Sequence, residues 1–244
     1  MNTARVDLWL WPLTEQSGAE ADHWRVLTAD ERARADRFVF PKHRLRYIHG
    51  RGRLREILGA YTGIAPQDIR FALSAYDKPS LANAEAPKLF FNLSHSQGLA
   101  ALGISADVEM GVDVEWIRLL KEDIAGNYFS ARECAVLRAL PEAAQPRAFF
   151  ECWTRKEAYI KASGEGLSIP LDSFDVAYGP GVAPEFLRID EPQKQNVAEW
   201  RLYSFEPEPG CMGAIAAKTN GAPLNVNAAA SEADAAAFRA RLRD

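Results

Sequence analysis

Apolar and polar positions follow two different spacings along this chain. Alternating or continuous apolar runs predict strands at 7–12, 68–76, 89–94, 99–105, 110–117, 169–178, 200–207 and 211–218. Helical spacing and capping residues predict helices at 27–38, 42–61, 130–140 and 148–164. Because helices and strands occur in this mixed order, the pattern indicates an α+β fold.

The first residues of two predicted helices suggest an internal duplication. ‘TADERA’ at 28–33 and ‘SARECA’ at 130–135 are identical at three of six positions. Both begin with a capping box, in which a Ser or Thr and the Glu three residues later satisfy each other's backbone amides. A long helix and then strands follow each copy. We therefore expect two similar α+β halves, 1–107 and 108–222, and an Ala-rich tail, 223–244, that is either helical or loose.

The composition is that of a soluble globular protein with no general affinity for polyanions. The 244 residues are 48% apolar and 25% charged, with a net charge of −4, so an anion site must be local. The chain has no apolar run of the roughly 18 residues that a membrane span needs, and its first residues are too mixed for a signal peptide. Its three cysteines lie far apart without a metal-binding spacing. We therefore expect a cytoplasmic protein with reduced thiols and without a membrane or nucleic-acid partner.

Two acidic residues share one face of the predicted strand 110–117. Its apolar residues alternate with Asp113 and Glu115, whose α carbons are then about 6.7 Å apart. The triplet ‘DVE’ also occurs at 107–109. Only the second copy has a glycine, Gly111, two residues before its aspartate, where a backbone or a ligand can approach closely. For this strand taken alone, a pair of acids exposed to solvent is the simpler explanation.

The predicted helix 148–164 aligns Trp153, Glu157 and Lys161 on one stripe, at positions i, i+4 and i+8. Such a stripe predicts a helix that is buried at its N-terminal end and reaches a cleft with its later turns. The alternative is an ordinary surface pair between Glu157 and Lys161, which contributes about 0.3–0.5 kcal/mol.

A meeting of Glu157 with Asp113 and Glu115 requires a counter charge. Two carboxylates about 5 Å apart repel by roughly 3 kcal/mol at an effective dielectric constant of about 20, so protons or a cation must relieve the repulsion. No histidine or cysteine accompanies the three acids, and an all-oxygen ligand set favours Mg²⁺ or Mn²⁺ over zinc. Since Mg²⁺ held by few carboxylates usually completes its shell with phosphate oxygens and water, the pattern indicates a phosphate-bearing substrate.

Candidate cations for such a phosphate lie in the N-terminal half. Residues 42–55 contain six Lys and Arg residues and no acid. Ser94 and His95 end a predicted strand, where donors can converge on an anion, and Lys78 precedes a proline that fixes a turn. A solvated basic face, an RNA contact and a structural histidine all stay open as explanations of these residues.

Four motifs together resemble a known family. In order and spacing, they resemble the 4′-phosphopantetheinyl transferases of the surfactin-synthetase-activating type. The motifs are ‘KPSL’ at 78–81, ‘FNLSHS’ at 91–96, ‘GVDVEW’ at 111–116 and ‘WTRKEAYIKASGEGL’ at 153–167. The resemblance extends over roughly residues 28–175 and implies a pseudo-twofold pair of α+β halves with coenzyme A in the cleft between them. It further implies a monomeric enzyme that transfers phosphopantetheine from coenzyme A to a serine of an apo acyl or peptidyl carrier protein, with release of adenosine 3′,5′-bisphosphate.

The resemblance also implies roles for individual residues. Asp113, Glu115 and Glu157 would bind Mg²⁺. Glu157 would also deprotonate the serine, and Lys161 would contact the diphosphate and stabilise the leaving group. The implied contacts to coenzyme A come from Arg46, Tyr76, Lys78, Pro79, Ser94, His95, Lys156 and Lys161, with Arg34 as a weaker match. The match fails at Glu31, where the family can have a lysine.

Two other functions fit parts of the same pattern. A degenerate relative would hold coenzyme A or a carrier protein without transferring anything, although all three acids and Lys161 are present. An unrelated α+β protein would use residues 42–55 to bind RNA with a steep dependence on salt, against which the net charge of −4 argues.

Overall fold

The computed structural model describes residues 3–14, 19–119, 124–190 and 195–229. Its helices are α1 (Glu20–Val26), α2 (Ala29–Ala35), α3 (Pro41–Thr62), α4 (Ile124–Tyr128), α5 (Ala131–Ala139) and α6 (Gln145–Ser163). Its strands are β1 (Ala4–Pro12), β2 (Phe71–Leu73), β3 (Pro79–Leu81), β4 (Phe90–Ser96), β5 (Leu99–Ser105), β6 (Met110–Trp116), β7 (Phe174–Val176), β8 (Phe186–Ile189), β9 (Trp200–Phe205), β10 (Cys211–Lys218) and β11 (Leu224–Ala229). The sequence pattern predicts the long helices and most strands, but it does not predict α1, α4, β3, β8 or β11.

Each half is built on an antiparallel sheet with the same strand order. In the N-terminal half β1, β5 and β4 lie side by side, and in the C-terminal half β6, β10 and β9 do so. In each half the first strand pairs with the last strand. The last strand also pairs, on its other side, with the strand that precedes it in the sequence. A short hairpin follows the long helix in each half, β2–β3 after α3 and β7–β8 after α6. The predicted α+β duplication is confirmed.

Both predicted capping boxes are present, and each one leads into a buried ion pair with the following long helix. The carboxylate of Glu31 lies 2.7 Å from Arg55 of α3, and the carboxylate of Glu133 lies 2.8 Å from Lys156 of α6. Each cation also donates to two backbone carbonyl groups after its helix. The acceptors are Pro66 and Ile69 for Arg55, and Leu171 and Phe174 for Lys156. The two halves therefore share a buried polar network as well as a strand order.

Lys156 consequently belongs to the core of the C-terminal half. Its side chain is 0% exposed, and its Nζ lies 4.3 Å from the ring centroid of Phe174. An ammonium group has three N–H donors, and here Glu133, Leu171 and Phe174 accept them. The predicted contact of Lys156 with coenzyme A is wrong, because no donor of this buried group remains for a phosphate.

The two sheets face each other, and the long helices cover their outer faces. Apolar residues of β1, β5, β6 and β10 form one cluster between the sheets, which includes Leu8, Ala101, Val112 and Ile215. A second cluster joins α3 to the N-terminal sheet, and a third joins α6 to the C-terminal sheet. The layers therefore follow the order helix, sheet, sheet, helix. In the part of the chain that the structure describes, none of the helices has the length and apolar character of a membrane span.

The segment after β10 returns to the N-terminal sheet. Leu224–Ala229 form β11, which runs parallel to β1 with Leu224 opposite Ala4 and Ala229 opposite Trp9. The prediction of a helical or loose tail is wrong for these six residues, because their pairing partner lies at the other end of the chain and leaves no local signal. The rest of the predicted tail, 230–244, lies outside the described residues.

Candidate active site

Gly111 sets the distance between α6 and β6. A Cβ atom at this position would lie 2.1 Å from the carbonyl oxygen of Ala158 and 2.4 Å from the amide nitrogen of Ala162, so only glycine lets the helix backbone rest on the strand. The prediction that another backbone approaches closely at Gly111 is confirmed. This contact brings the turn of α6 that carries Glu157 and Lys161 over the acidic face of β6.

Asp113 is the centre of a hydrogen-bond network that joins the two halves. Its Oδ1 accepts from Lys161 Nζ at 2.6 Å and from Ser94 Oγ at 3.0 Å, and the two donors are 3.0 Å apart. Ser94 comes from β4 of the N-terminal half. The second oxygen, Oδ2, is buried and has no hydrogen-bond partner in the described ranges. Burial raises the pKa of Asp113, and the positive charge of Lys161 acts against this.

Glu115 is also held from both halves. Its Oε2 accepts a hydrogen bond from Ser96 Oγ of β4 at 2.8 Å and lies 3.3 Å from a guanidinium nitrogen of Arg118. The Glu115 side chain is 25% exposed, so it can reach a ligand in the cleft. Sequence reasoning identifies neither Ser96 nor Arg118.

Glu157 approaches the same carboxylates from α6. Burial raises the pKa of Glu157 to about 7, with a further increase from the negative charges of Asp113 and Glu115 and an opposing effect of Lys161. The three acids are therefore close enough to influence one another's protonation. Among the residues that the structure describes, however, no group of three or more His, Cys, Asp or Glu side chains is close enough to enclose a metal ion.

The donor chemistry of this cluster fits a hard divalent cation. All three side chains are carboxylates, and the buried Oδ2 of Asp113 has no partner in the described part of the chain. Burial and the negative charges of Asp113 and Glu115 raise the pKa of Glu157, and the positive charge of Lys161 offsets this in part. Oxygen ligands with net negative charge are those that Mg²⁺ prefers, so the residues present are suitable for this ion.

Positive groups lie beside the acids at the end of β4. Loss of hydration lowers the pKa of His95, and the positive charges of Lys161 and Arg46 lower it further. Arg46, on α3, is half-buried and has no ion pair within the described ranges. Lys161 and Arg46 therefore supply the positive charge of this rim and His95 adds an imidazole N–H, so the rim is a suitable place for a phosphate group.

Lys78 joins the N-terminal half to the end of α6. Its Nζ donates to the carbonyl oxygen of Ala162 at 2.8 Å, and burial lowers the pKa of the ammonium group. Tyr76 is 54% exposed in the preceding turn, and Pro79 lines a neighbouring groove of 560 Å³. The ammonium group of Lys78 is thus already engaged in the contact between the halves.

The basic run 42–55 does not form a continuous positive face. Several of its arginines pair with acids of α1, α2 and the turn after α2. The pairs are Arg44 with Glu20 and Asp36, and Arg51 and Arg55 with Glu31. Glu31, where the family match fails, is a structural residue whose carboxylate pairs with two of these cations. The RNA-binding alternative therefore lacks much of the free positive charge that it requires.

Profiles of known families match both halves of the chain. Residues 109–215 match the 4′-phosphopantetheinyl transferase superfamily, and residues 15–106 match the N-terminal region of 4′-phosphopantetheinyl transferases. The 4′-phosphopantetheinyl transferase HetI of Nostoc sp. is 39% identical over 215 residues, which is 86% of either chain. The chain belongs to the 4′-phosphopantetheinyl transferase superfamily.

Further members of the superfamily show the same similarity. The transferase psf-1 of Bacillus pumilus is 35% identical over 178 residues, covering 73% of this chain and 74% of its own. The transferase Sfp of Bacillus subtilis is 31% identical over 150 residues, covering 62% of this chain and 66% of its own. The family that the four sequence motifs indicate is therefore confirmed.

Sequence reasoning misses part of the contact between the halves of this superfamily member. Asn92, Ser94 and Ser96 occupy alternate positions of β4, and each one makes a hydrogen bond to β6. Only Ser94 is identified from the sequence. The signal that identifies the other two is the period of two between polar residues, which places all three on one face of a strand.

Proposed function

We propose that this chain transfers 4′-phosphopantetheine from coenzyme A to a serine of an apo acyl or peptidyl carrier protein, and that it releases adenosine 3′,5′-bisphosphate. The observation that carries the proposal is the network of Lys161 and Ser94 around Asp113, which joins both halves of a superfamily member beside further acids. The names of the relatives support the same activity.

Coenzyme A binds in this proposal with its diphosphate against the positive rim. Lys161, His95 and Arg46 supply positive charge or N–H donors, while Ser94 reaches a phosphate only if its hydroxyl group releases Asp113. The absence of an ion pair at Arg46 within the described ranges supports its role, because no acid competes with a phosphate.

The adenosine end of coenzyme A lies near the turn at 76–79. Tyr76 and Pro79 border the adenine, while Lys78 reaches a phosphate only if it releases the carbonyl group of Ala162. Arg34 is exposed and its guanidinium lies 5.4 Å from the ring centroid of Tyr47, so it remains available for a further phosphate contact.

Asp113, Glu115 and Glu157 would hold Mg²⁺, for which Mn²⁺ is a possible substitute. When bound, the ion would neutralise the diphosphate and orient it for in-line displacement. The all-oxygen ligand set supports this assignment, as does Oδ2 of Asp113, which has no hydrogen-bond partner among the described residues.

Glu157 and Lys161 carry the proton transfer and the charge stabilisation. Glu157 accepts the proton of the attacking serine hydroxyl as a general base positioned beside the other two acids. Lys161 donates to the departing phosphate oxygens, where negative charge increases as the P–O bond breaks. The 2.6 Å contact with Asp113 holds the ammonium group of Lys161 beside the acidic cluster, which supports this role.

The catalytic cluster takes residues from both halves of a single chain, so the proposal includes a monomer as the active form. The three cysteines are free and buried, which supports the expected location in the cytoplasm, where thiols stay reduced.

The test is the intact mass of an apo carrier protein after incubation with coenzyme A, Mg²⁺ and the enzyme. We expect the carrier to gain the mass of one phosphopantetheine group, and Glu157→Gln to abolish the gain. A protein that binds coenzyme A yet leaves the carrier mass unchanged would instead be the silent binding module.

A further inference from the structure

One face of β4 is in contact with β6 along its whole length. Asn92, Ser94 and Ser96 follow one another at a spacing of two residues, and all three are at most 7% exposed. Asn92 Oδ1 accepts from the backbone amide of Val112 at 2.8 Å. The hydroxyl groups of the two serines reach the acidic side chains of β6, at distances of 3.0 Å and 2.8 Å. The N-terminal half therefore orients the acids of the C-terminal half through side chains.

The need for this contact follows from the sheet order. β6 is an edge strand of its sheet, with β10 on one side only, and β4 is an edge strand of the other sheet. An edge strand has backbone N–H groups without a ladder partner, and Asn92 accepts from one of them at Val112. This bond fixes the position of β4 along β6. The serines two and four residues later are thereby aligned with Asp113 and Glu115.

Ser96 has the larger influence on its carboxylate, because Glu115 is the less constrained of the two acids. Asp113 is 4% exposed and is bound by Lys161 as well as Ser94. Among the described residues, the partners of Glu115 are Ser96, which is buried, and Arg118, whose side chain is 54% exposed and lies beyond the end of β6. Since exposed ion pairs orient their members weakly, the buried hydroxyl group of Ser96 determines where the carboxylate of Glu115 points.

We propose that Ser96 is a positioning residue that orients Glu115 for the divalent cation, so that the N-terminal half sets the cation affinity of the C-terminal half. This inference rests on the proposed function, in which Glu115 is a metal ligand. Groups that hold a ligating carboxylate or histidine typically change metal affinity by about 10–100-fold when they are removed. We expect a change of the same size in cation affinity when the hydroxyl group of Ser96 is removed.

The experiment measures Mn²⁺ binding to the full chain saturated with coenzyme A, by electron paramagnetic resonance of free Mn²⁺. We expect Ser96→Ala to weaken Mn²⁺ binding by about 10–100-fold. Ser96→Cys, which keeps the packing but is a weak donor, should behave likewise. Ser96→Thr keeps the hydroxyl group and should restore most of the affinity. In the transfer assay the half-saturating Mg²⁺ concentration should rise by the same factor, while kcat at saturating Mg²⁺ and KM for coenzyme A stay near their wild-type values.

The matched control is Ser105→Ala. Ser105 is another fully buried serine of the N-terminal sheet, and its Oγ donates to the carbonyl oxygen of Arg5, in the same sheet. Loss of the Ser105 hydroxyl group should lower the stability of the protein without a change in Mn²⁺ affinity. Wild-type Mn²⁺ affinity in Ser96→Ala and Ser96→Cys, or an equal loss in the control, would overturn the role of Ser96 and leave the transferase activity intact. Failure of the wild-type protein to bind Mn²⁺ or to modify a carrier would instead overturn the proposed function itself.

Discussion

The acidic cluster should make the metal-free protein less stable as the pH rises, and Glu157→Gln should remove this effect. The pKa of Glu157 is raised from 4.5 to about 7. Between these pH values the folded protein keeps a proton that the unfolded chain has lost. The contribution of Glu157 to stability is therefore fully present below pH 4.5, and it is lost as the pH rises through about 7.

The magnitude follows from the same pKa difference. One pKa unit corresponds to about 1.36 kcal/mol, so ionising Glu157 costs the folded protein up to about 3 kcal/mol relative to the unfolded chain. Glutamine has nearly the same shape and cannot ionise. We therefore expect Glu157→Gln to match the wild-type free energy of unfolding near pH 4.5, and to exceed it by up to about 3 kcal/mol near pH 8.

The assay is urea unfolding of the wild-type protein and the variant across this pH range. EDTA keeps both proteins metal-free, and one m-value is used for both. The difference between the two free energies of unfolding cancels the contributions of titrating groups that both proteins contain. A difference that does not change with pH, or a wild-type protein that is the more stable near neutral pH, would refute the reasoning. Under the proposed function, added Mg²⁺ should stabilise the wild-type protein and leave the variant almost unaffected.

Glu56 provides a control with the opposite sign. It follows the buried Arg55 on α3 as Glu157 follows the buried Lys156 on α6. Burial acts to raise the pKa of Glu56, but hydrogen bonds from His23 and Arg53 outweigh it and lower the pKa below 4.5. Its contribution to stability is therefore present above pH 4.5 and is lost as the pH falls. Glu56→Gln should destabilise the protein at neutral pH, where Glu157→Gln stabilises it.

Further predictions concern the residues around the cluster. Lys161→Ala should lower kcat about 10²–10³-fold in the carrier-mass assay, and near-normal turnover would contradict its role. It should also lower stability, because the buried Asp113 carboxylate loses its cation. Gly111→Ala should cost about 3 kcal/mol in urea unfolding, because the new methyl group meets the backbone of α6. Lys156→Ala should cost about 3–5 kcal/mol, since it leaves the Glu133 carboxylate buried without its cation, and a raised KM for coenzyme A at unchanged stability would contradict the structural role. Arg46→Ala should raise KM for coenzyme A by about 10–100-fold at similar kcat, corresponding to the loss of one charge-assisted hydrogen bond.

The sequence predicts the acidic side of the site because two simple periods determine it. Alternation along β6 places Asp113 and Glu115 on one face, and the i, i+4 spacing on α6 places Glu157 and Lys161 on one stripe. The two faces must also come close together, and Gly111 indicates that they do, since a glycine in a strand indicates a close approach of another backbone. Local patterns are sufficient here because each element contributes a whole face to the site.

The errors arise where a distant partner decides the position of a side chain. Lys156 and Glu157 are adjacent in the same motif, but neighbouring helix positions point about 100° apart, so both cannot face one cleft. The orientation of Lys156 depends on Glu133, which belongs to another helix. Similarly, β11 contains two Asn and two Ala among its six residues and has low intrinsic strand propensity, so its pairing with β1 makes it a strand.

The duplication also explains why one acidic cluster, and not two, follows from two similar halves. The dipeptide Val–Asp occurs on the first strand of each half, at Asp7 and at Asp113. In the N-terminal half, Asp7 accepts from the hydroxyl group of Tyr61 at 2.8 Å, and Trp9 stands two residues later, where the C-terminal half has Glu115. Tyr61 also accepts from the indole N–H of Trp9 at 2.9 Å, so this aspartate is part of a buried hydrogen-bond network with aromatic residues. The N-terminal half instead contributes the serines of β4 to the acids of β6. A single asymmetric site at the interface is the consequence, and separating the halves should remove it.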